Sequence, residues 1–189
     1  MLNPFYDKFI FTSNFKYRGS NFFLLDLPVA ISPTAPLARI SAMDNKAINE
    51  ALYLSTKDAT MEDVIPLLKL DFKSRFNNSL KLFENFLSSS GWGEISMVDV
   101  YPRKAHAIIT VKNSPIASKP KGNPKNPVDH ILRGYFAGVF SKAFGRDVGC
   151  VELKCAALGD SCCEFIVKPA PEFSRDKPRS MRQLPKKTP

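Results

Sequence analysis

The chain has 189 residues, enough for one domain with a real core, and its 44% hydrophobic content fits a globular protein. No apolar run approaches the roughly 18 residues that a membrane-spanning helix needs, so no transmembrane segment is expected. The 27 Lys and Arg residues outnumber 18 Asp and Glu, a formal net charge of +9.

That charge is local. The segment Lys112–Lys125 holds four lysines and no acid. The segment Lys168–Pro189 holds seven Lys/Arg against Glu172 and Asp176, so the remainder is close to neutral. One reading is solubility through colloidal repulsion; the sharper one is weak, salt-sensitive contact of the basic tail with nucleic acid or an anionic surface. Only Phe173 interleaves the basic residues with an aromatic ring, which favours the first. The N-terminus MLNPFYDKFIFTSN places Asp7 early and lacks a smooth apolar core, unlike a signal peptide, and the expected location is cytoplasmic. Four cysteines within Cys150–Cys163 then read as reduced thiols or metal ligands rather than a secreted disulfide framework.

In chain order, residues 9–27 predict a β-hairpin turning at Arg18-Gly19-Ser20-Asn21, after which Pro28, Pro33 and Pro36 keep the chain looping to about Ile40. Asp44 is a candidate N-cap for a helix through Leu54. Thr60 with Asp63 imitates a capping box, which predicts a second helix from about Met61, bent near Pro66. The 4-4-3-4 spacing of Phe72, Phe76, Leu80, Phe83 and Leu87 predicts a helix closed by Gly91. Such a stripe is ordinarily core, and it can also line a ligand cavity. Glu94–Val100 and His106–Val111 read as strands around Tyr101-Pro102-Arg103-Lys104. His106, at a strand start, reads as a surface or hydrogen-bonded residue. Pro115, Pro120, Pro124 and Pro127 make 113–127 a long loop.

Val128–Val167 carries the chemistry. Ile131, Leu132, Tyr135, Val139 and Ala143 make a helical stripe, with Phe136, Phe140 and Phe144 beside it. Gly134 and Gly138 cost about 1 kcal/mol each relative to alanine in a helix, which calls for a close neighbour: a strand, a ligand or the same helix of a second subunit. Strands 148–155 and 162–168 then form a hairpin around Leu158-Gly159-Asp160-Ser161, and residues 169–189 read as a disordered tail. Glu152, Cys155 and Cys163 supply a carboxylate and two thiols of the kinds that tetrahedral zinc accepts, with Asp129 or His130 as candidates for a fourth position. On a regular strand Glu152 and Cys155 face opposite sides, so a bulge or the strand's end near Lys154 is needed to bring them together. Spacing alone leaves a metal site, buried inert thiols and a cross-strand disulfide all open.

The pattern Gly134-Tyr135…Gly138, Glu152…Cys155, Gly159-Asp160…Cys163…Phe165 resembles the 4-vinyl reductase domain. The match is specific over 128–167, looser through Gly91-Trp92-Gly93 and Asn113-Ser114-Pro115, and the N-terminal hairpin resembles that of the archaeal stand-alone members. The resemblance implies an α+β fold, a twisted antiparallel sheet packed by helices, related to aromatic-hydrocarbon sensor domains and to subunits of the TRAPP trafficking complex. It implies a single domain over 1–168, a homodimer, a cavity for an apolar ligand and a zinc ion. Glu152, Cys155 and Cys163 match three zinc ligands; the fourth, a cysteine, aligns with Asp129, where the sequence departs from the pattern. Cys150 and Cys162 match no ligand position and read as structural. A small-molecule-binding module, sensor or carrier, is the leading expectation, with Phe76, Phe83, Tyr135, Phe136 and Phe140 as ligand-binding residues. An enzyme or enzyme accessory of tetrapyrrole vinyl-reductase type and a structural assembly adapter are the alternatives. No dinucleotide fingerprint or nucleophile motif supports the enzyme.

Overall fold

The computed structural model describes residues 15–24, 27–118, 124–175 and 183–185. An N-terminal meander pairs β1 (Phe15–Arg18), β2 (Asn21–Leu24) and β3 (Leu27–Val29), all antiparallel. The turn falls at Gly19-Ser20, as expected, while residues 9–14 of the predicted hairpin lie outside the described residues. Pro28 sits within β3, in a stretch where the prolines predict loop. That strand is at the sheet edge, where a missing N–H is tolerated.

Helix α1 (Ala35–Ser41) is followed by α2 (Lys46–Ala59), whose N-cap is Asn45 rather than Asp44. Asn45 Oδ1 accepts from the Ile48 N–H at 3.2 Å, whereas Asp44 accepts from Asn126 Nδ2. Thr60 does not begin a new helix. It continues α2 through a π turn, Thr60–Val64, into a last turn, Ile65–Leu67, its hydroxyl donating back to Thr56 O at 2.7 Å. Helix α3 (Phe76–Leu87) buries Leu80, Phe83, Phe86 and Leu87, and Gly91 follows in the left-handed region.

The main sheet has the order β4-β5-β7-β6, all antiparallel, from β4 (Glu94–Tyr101), β5 (His106–Lys112), β6 (Gly149–Lys154) and β7 (Cys163–Lys168). Burial alternates along β5 and β7, so Ala107, Ile109, Val111, Cys163, Phe165 and Val167 share the inner face. Across that face lies α4 (His130–Phe144), with Phe136 packed edge-on against Phe165. Helix α4 has almost no polar side because α2 covers its back. The neighbour that the two glycines call for is therefore α2 of the same chain, and not a strand, ligand or second subunit. A Cβ on Gly134 would lie 2.6 Å from Tyr53 O, and one on Gly138 2.7 Å from Lys57 O.

The expected disordered tail needs correction where it is described. Lys168 leads into a 3-10 stretch, Ala170–Arg175, that buries Phe173, and residues 183–185 return to bury Leu184 with Phe173 and Val151 on the outer face of β6. Apolar side chains at 173 and 184 cover a strand that would otherwise expose Val151 to water. Residues 119–123, 176–182 and 186–189, with most of the basic charge, lie outside the described residues. No helix among the described residues is long and apolar enough to cross a membrane.

Candidate functional site

Glu152, Cys155 and Cys163 converge at the mouth of the β6–β7 hairpin, one ligand atom of each lying within 4.8 Å of the others, and all three are buried. The expected irregularity is there. The register shifts between Glu152 and Lys154 opposite Phe165 and Glu164, and β6 ends at Lys154, so Cys155 is freed from strand parity. Gly159, at φ 98°, lets the turn close, and Asp160 Oδ2 accepts the Cys155 N–H at 2.8 Å. This gives the Gly-Asp pair a role: it holds the first thiol. All four cysteines are free thiols, which removes the cross-strand disulfide among these residues.

Asp129 stands beside this group at the start of α4. Its side chain makes no cap to its own helix, although Asp is a favoured N-cap residue. Instead Oδ1 accepts from Ser114 Oγ at 2.9 Å and Oδ2 from the Cys163 thiol at 3.2 Å. The Asp129 N–H donates to Glu152 Oε2 at 3.0 Å, while Glu152 Oε1 is buried without a hydrogen-bond donor among the described residues. His130, adjacent in sequence, is not brought to the thiols. Its Nδ1 faces Arg133 Nη1 at 3.1 Å, which fixes the other nitrogen as the protonated one, and the ring lines a small cleft with Ser41, Asn49 and Pro127. Burial and the Arg133 charge push His130 down to about 3, so it stays neutral.

Burial raises Asp129 to about 7, and burial with the neighbouring Asp129 carboxylate raises Glu152 well above the carboxylate range. The hydrogen bond from Cys163 lowers Cys155 to about 6, and the same contact, with burial, raises Cys163. Four protonatable groups thus crowd one dry region, with an orphaned carboxylate oxygen facing two thiols. Buried charge of one sign is costly, and a cation of radius and softness suited to sulfur and oxygen removes that cost. Cys163 Sγ also accepts the Ala156 N–H at 3.4 Å, a contact that stabilises thiolate character. The residues therefore form a group able to hold a metal ion.

The rings proposed to bind a ligand fall into separate pairs. Phe83 and Trp92 both meet Tyr135, at 6.5 and 5.5 Å between centroids. Phe136 belongs to the sheet side, Phe140 pairs with Phe144, and Phe76 pairs with Phe72 at the start of α3. Trp92 is not among the expected lining residues. It is placed by the π turn Ser88–Trp92 and by Gly93 (φ 106°), where a Cβ would lie 2.6 Å from Lys112 O. Tyr135 makes no hydrogen bond among the described residues, and burial raises its phenol.

Two supporting residues escape a reading of the sequence. Ser114, in the Asn113-Ser114-Pro115 turn, has a signal in the looser part of the motif. Gln183 has none: its side chain bonds both the N–H (2.9 Å) and the C=O (3.0 Å) of Glu152 from the far end of the chain.

Residues 107–169 match the model of the 4-vinyl reductase domain. An uncharacterized protein of Methanocaldococcus jannaschii is 30% identical over 95 residues, 50% of this chain and 55% of that relative, so the chain spans about half the length of the curated relative it matches. Among solved structures, the phenol-responsive sensory domain of the transcription activator PoxR, with phenol, superposes with a TM-score of 0.74 at 14% identity, covering 98% of this chain and 100% of that one. Trafficking protein particle complex subunit 3 from Naegleria fowleri, covalently bound to palmitic acid, superposes at 0.51 with 15% identity, over 67% of this chain and 82% of that one. Both likenesses speak to the fold, and the fold is the expected α+β one. The matched span takes in β5, α4, β6 and β7 together with Asp129, Glu152, Cys155 and Cys163, and residues 107–169 of this chain are a 4-vinyl reductase domain.

Proposed function

We propose that this protein is a binding module for a small apolar or aromatic ligand, a sensor or carrier, stabilised by a zinc ion beside the ligand region. The observation that carries the ligand reading is the Phe83–Tyr135–Trp92 cluster, where three elements bring rings around one buried phenol with no hydrogen bond among the described residues. An apolar wall with one polar handle is what orients a small aromatic molecule. The superposed PoxR domain was solved with phenol, which accords with that chemistry.

Glu152, Cys155 and Cys163 would hold the zinc, with Asp129 as the fourth ligand in place of a cysteine. A closed set of four protein ligands makes the ion structural, clamping the hairpin to the start of α4. The thiol proton now shared between Cys163 and Asp129 Oδ2 is one that metal binding displaces, since ligand sulfur must be thiolate. A homodimer belongs to the same reading, supported by Phe15 and Tyr17, 40% and 63% exposed on a three-stranded sheet that buries little by itself.

The test uses purified protein and a panel of phenols and hydrocarbons in thermal-shift and native mass spectrometric measurements. A bound apolar molecule, or a stabilising compound whose effect is lost in Tyr135→Ala, is the expected outcome. No shift across the panel and no co-purified molecule refutes the ligand reading. Metal content is measured in parallel; about one zinc per chain, lost in Cys155→Ser, is expected.

A further inference from the structure

Strand β6 is an edge of the main sheet, and at Glu152 its outward N–H and C=O face no neighbouring strand. Gln183 stands in for that strand. Its Oε1 accepts the Glu152 N–H at 2.9 Å and its Nε2 donates to the Glu152 C=O at 3.0 Å, so one amide side chain holds the peptide groups on both sides of this residue. The Gln183 carbonyl in turn accepts from Arg133 Nη2. Arg133 is fully buried on α4, with Nε bonded to Cys150 O at 3.0 Å and its guanidinium 4.7 Å from the Tyr53 ring centroid. Leu184 completes the contact: it fits only because residue 149 is glycine, where a Cβ would come within 2.8 Å of it. Three residues near the C-terminus are thus bound to the backbone of a prospective metal ligand, to a helix and to the outer face of β6.

We propose that residues 183–185 are a latch whose docking is energetically coupled to metal occupancy at Glu152, Cys155 and Cys163. The proposal rests on the metal reading above. Glu152 adjoins the irregularity in β6, so ladder pairing with β7 constrains its backbone only from one side. The latch constrains the other side, while the metal would fix the side chain. Partners that orient a metal ligand change metal affinity about 10- to 100-fold when removed. Linkage makes the effect reciprocal: whatever the latch contributes to zinc affinity, zinc contributes to latch docking. Chain continuing beyond residue 185 would then leave the domain in a position that reports metal occupancy.

The experiment titrates zinc alone, against a competing chelator, into the full chain, Gln183→Ala and Leu184→Ser. Gln183→Ala is expected to bind zinc about 10-fold more weakly. Leu184→Ser, which leaves every ligand and the Gln183 amide in place, is expected to shift affinity in the same direction by loosening the segment. In the unsubstituted protein zinc is expected to slow amide hydrogen exchange at Glu152 and Leu184. Equal zinc affinity in all three proteins, or exchange at both amides indifferent to zinc, overturns the coupling and leaves the metal site standing. A full chain that takes up no zinc overturns the coupling together with the metal reading. The exchange measurement needs no variant and decides the question if either substitution unfolds the chain.

Discussion

Gly138→Ala tests one of the tightest packings in the molecule, the crossing of α2 and α4. Ordinary contact begins near 3.4 Å, whereas the new Cβ would lie 2.7 Å from both Lys57 O and Thr60 Cβ, so about 0.7 Å must be found. One obstacle is backbone and the other a β-carbon, so neither can rotate away. The two helices must part or bend. Overpacking costs about 1–3 kcal/mol, and the upper end applies where rigid atoms collide. Alanine regains about 1 kcal/mol of helix propensity over glycine, leaving a net loss of about 2 kcal/mol. For a chain of this size that corresponds to a fall in Tm of about 4–8 °C by circular dichroism. Gly134→Ala, at 2.6 Å from Tyr53 O, should behave alike. The double variant should cost less than the sum, because one separation of the helices relieves both contacts. An unchanged or raised Tm in either single variant would show that α4 does not lie against α2 in this way.

Asp129 controls a pH dependence of the metal-free protein. Its folded-state pKa is raised from an ordinary value near 3.8 to about 7, so the folded state holds the proton more tightly than the unfolded. Stability of chelator-treated protein is therefore greatest below about pH 4 and falls as pH rises to about 7, by a few kcal/mol in order of magnitude. Urea denaturation at several pH values should show this slope reduced in Asp129→Asn, and an identical slope in both proteins contradicts it. Excess zinc should reverse the trend in the unsubstituted chain, since protons compete with the metal for the same groups. Asn45→Ala, which removes the Asn45 Oδ1 acceptor for the Ile48 N–H, should lower stability by about 1 kcal/mol, read from the denaturation midpoint; Asp44→Ala should cost less.

The parts of the fold that local pattern could carry are those where one face of an element meets the core and the other meets water. Strands β4 and β5, the hairpin of β6 and β7, and helix α4 with its Gly145 cap followed from periodicity and turn residues. So did the demand for an irregularity at Lys154, because side-chain parity on a strand admits no other way to join Glu152 and Cys155. The errors lie where two local solutions have similar energy. Asp44 and Asn45 are both good caps, and the first is drawn away by Asn126. Thr60 reads as the start of a helix, yet its hydroxyl donates within a helix that runs on into a π turn packed under Gly138.

The candidate site divides in the same manner. Residue types and spacing alone determined that one carboxylate and two thiols belong together, and that Asp129 departs from the pattern in which a cysteine is expected. Tertiary structure decided between the neighbours Asp129 and His130: the first turns toward Cys163 and Ser114, the second toward Arg133. It also selected α2 as the partner of the glycine-notched helix, and placed Gln183 against Glu152 across thirty-one positions of sequence. Periodicity records which way a residue faces along its own element. Which distant surface comes to meet that face is settled only when the whole core closes, because burial rewards any apolar or hydrogen-bonding partner of suitable shape.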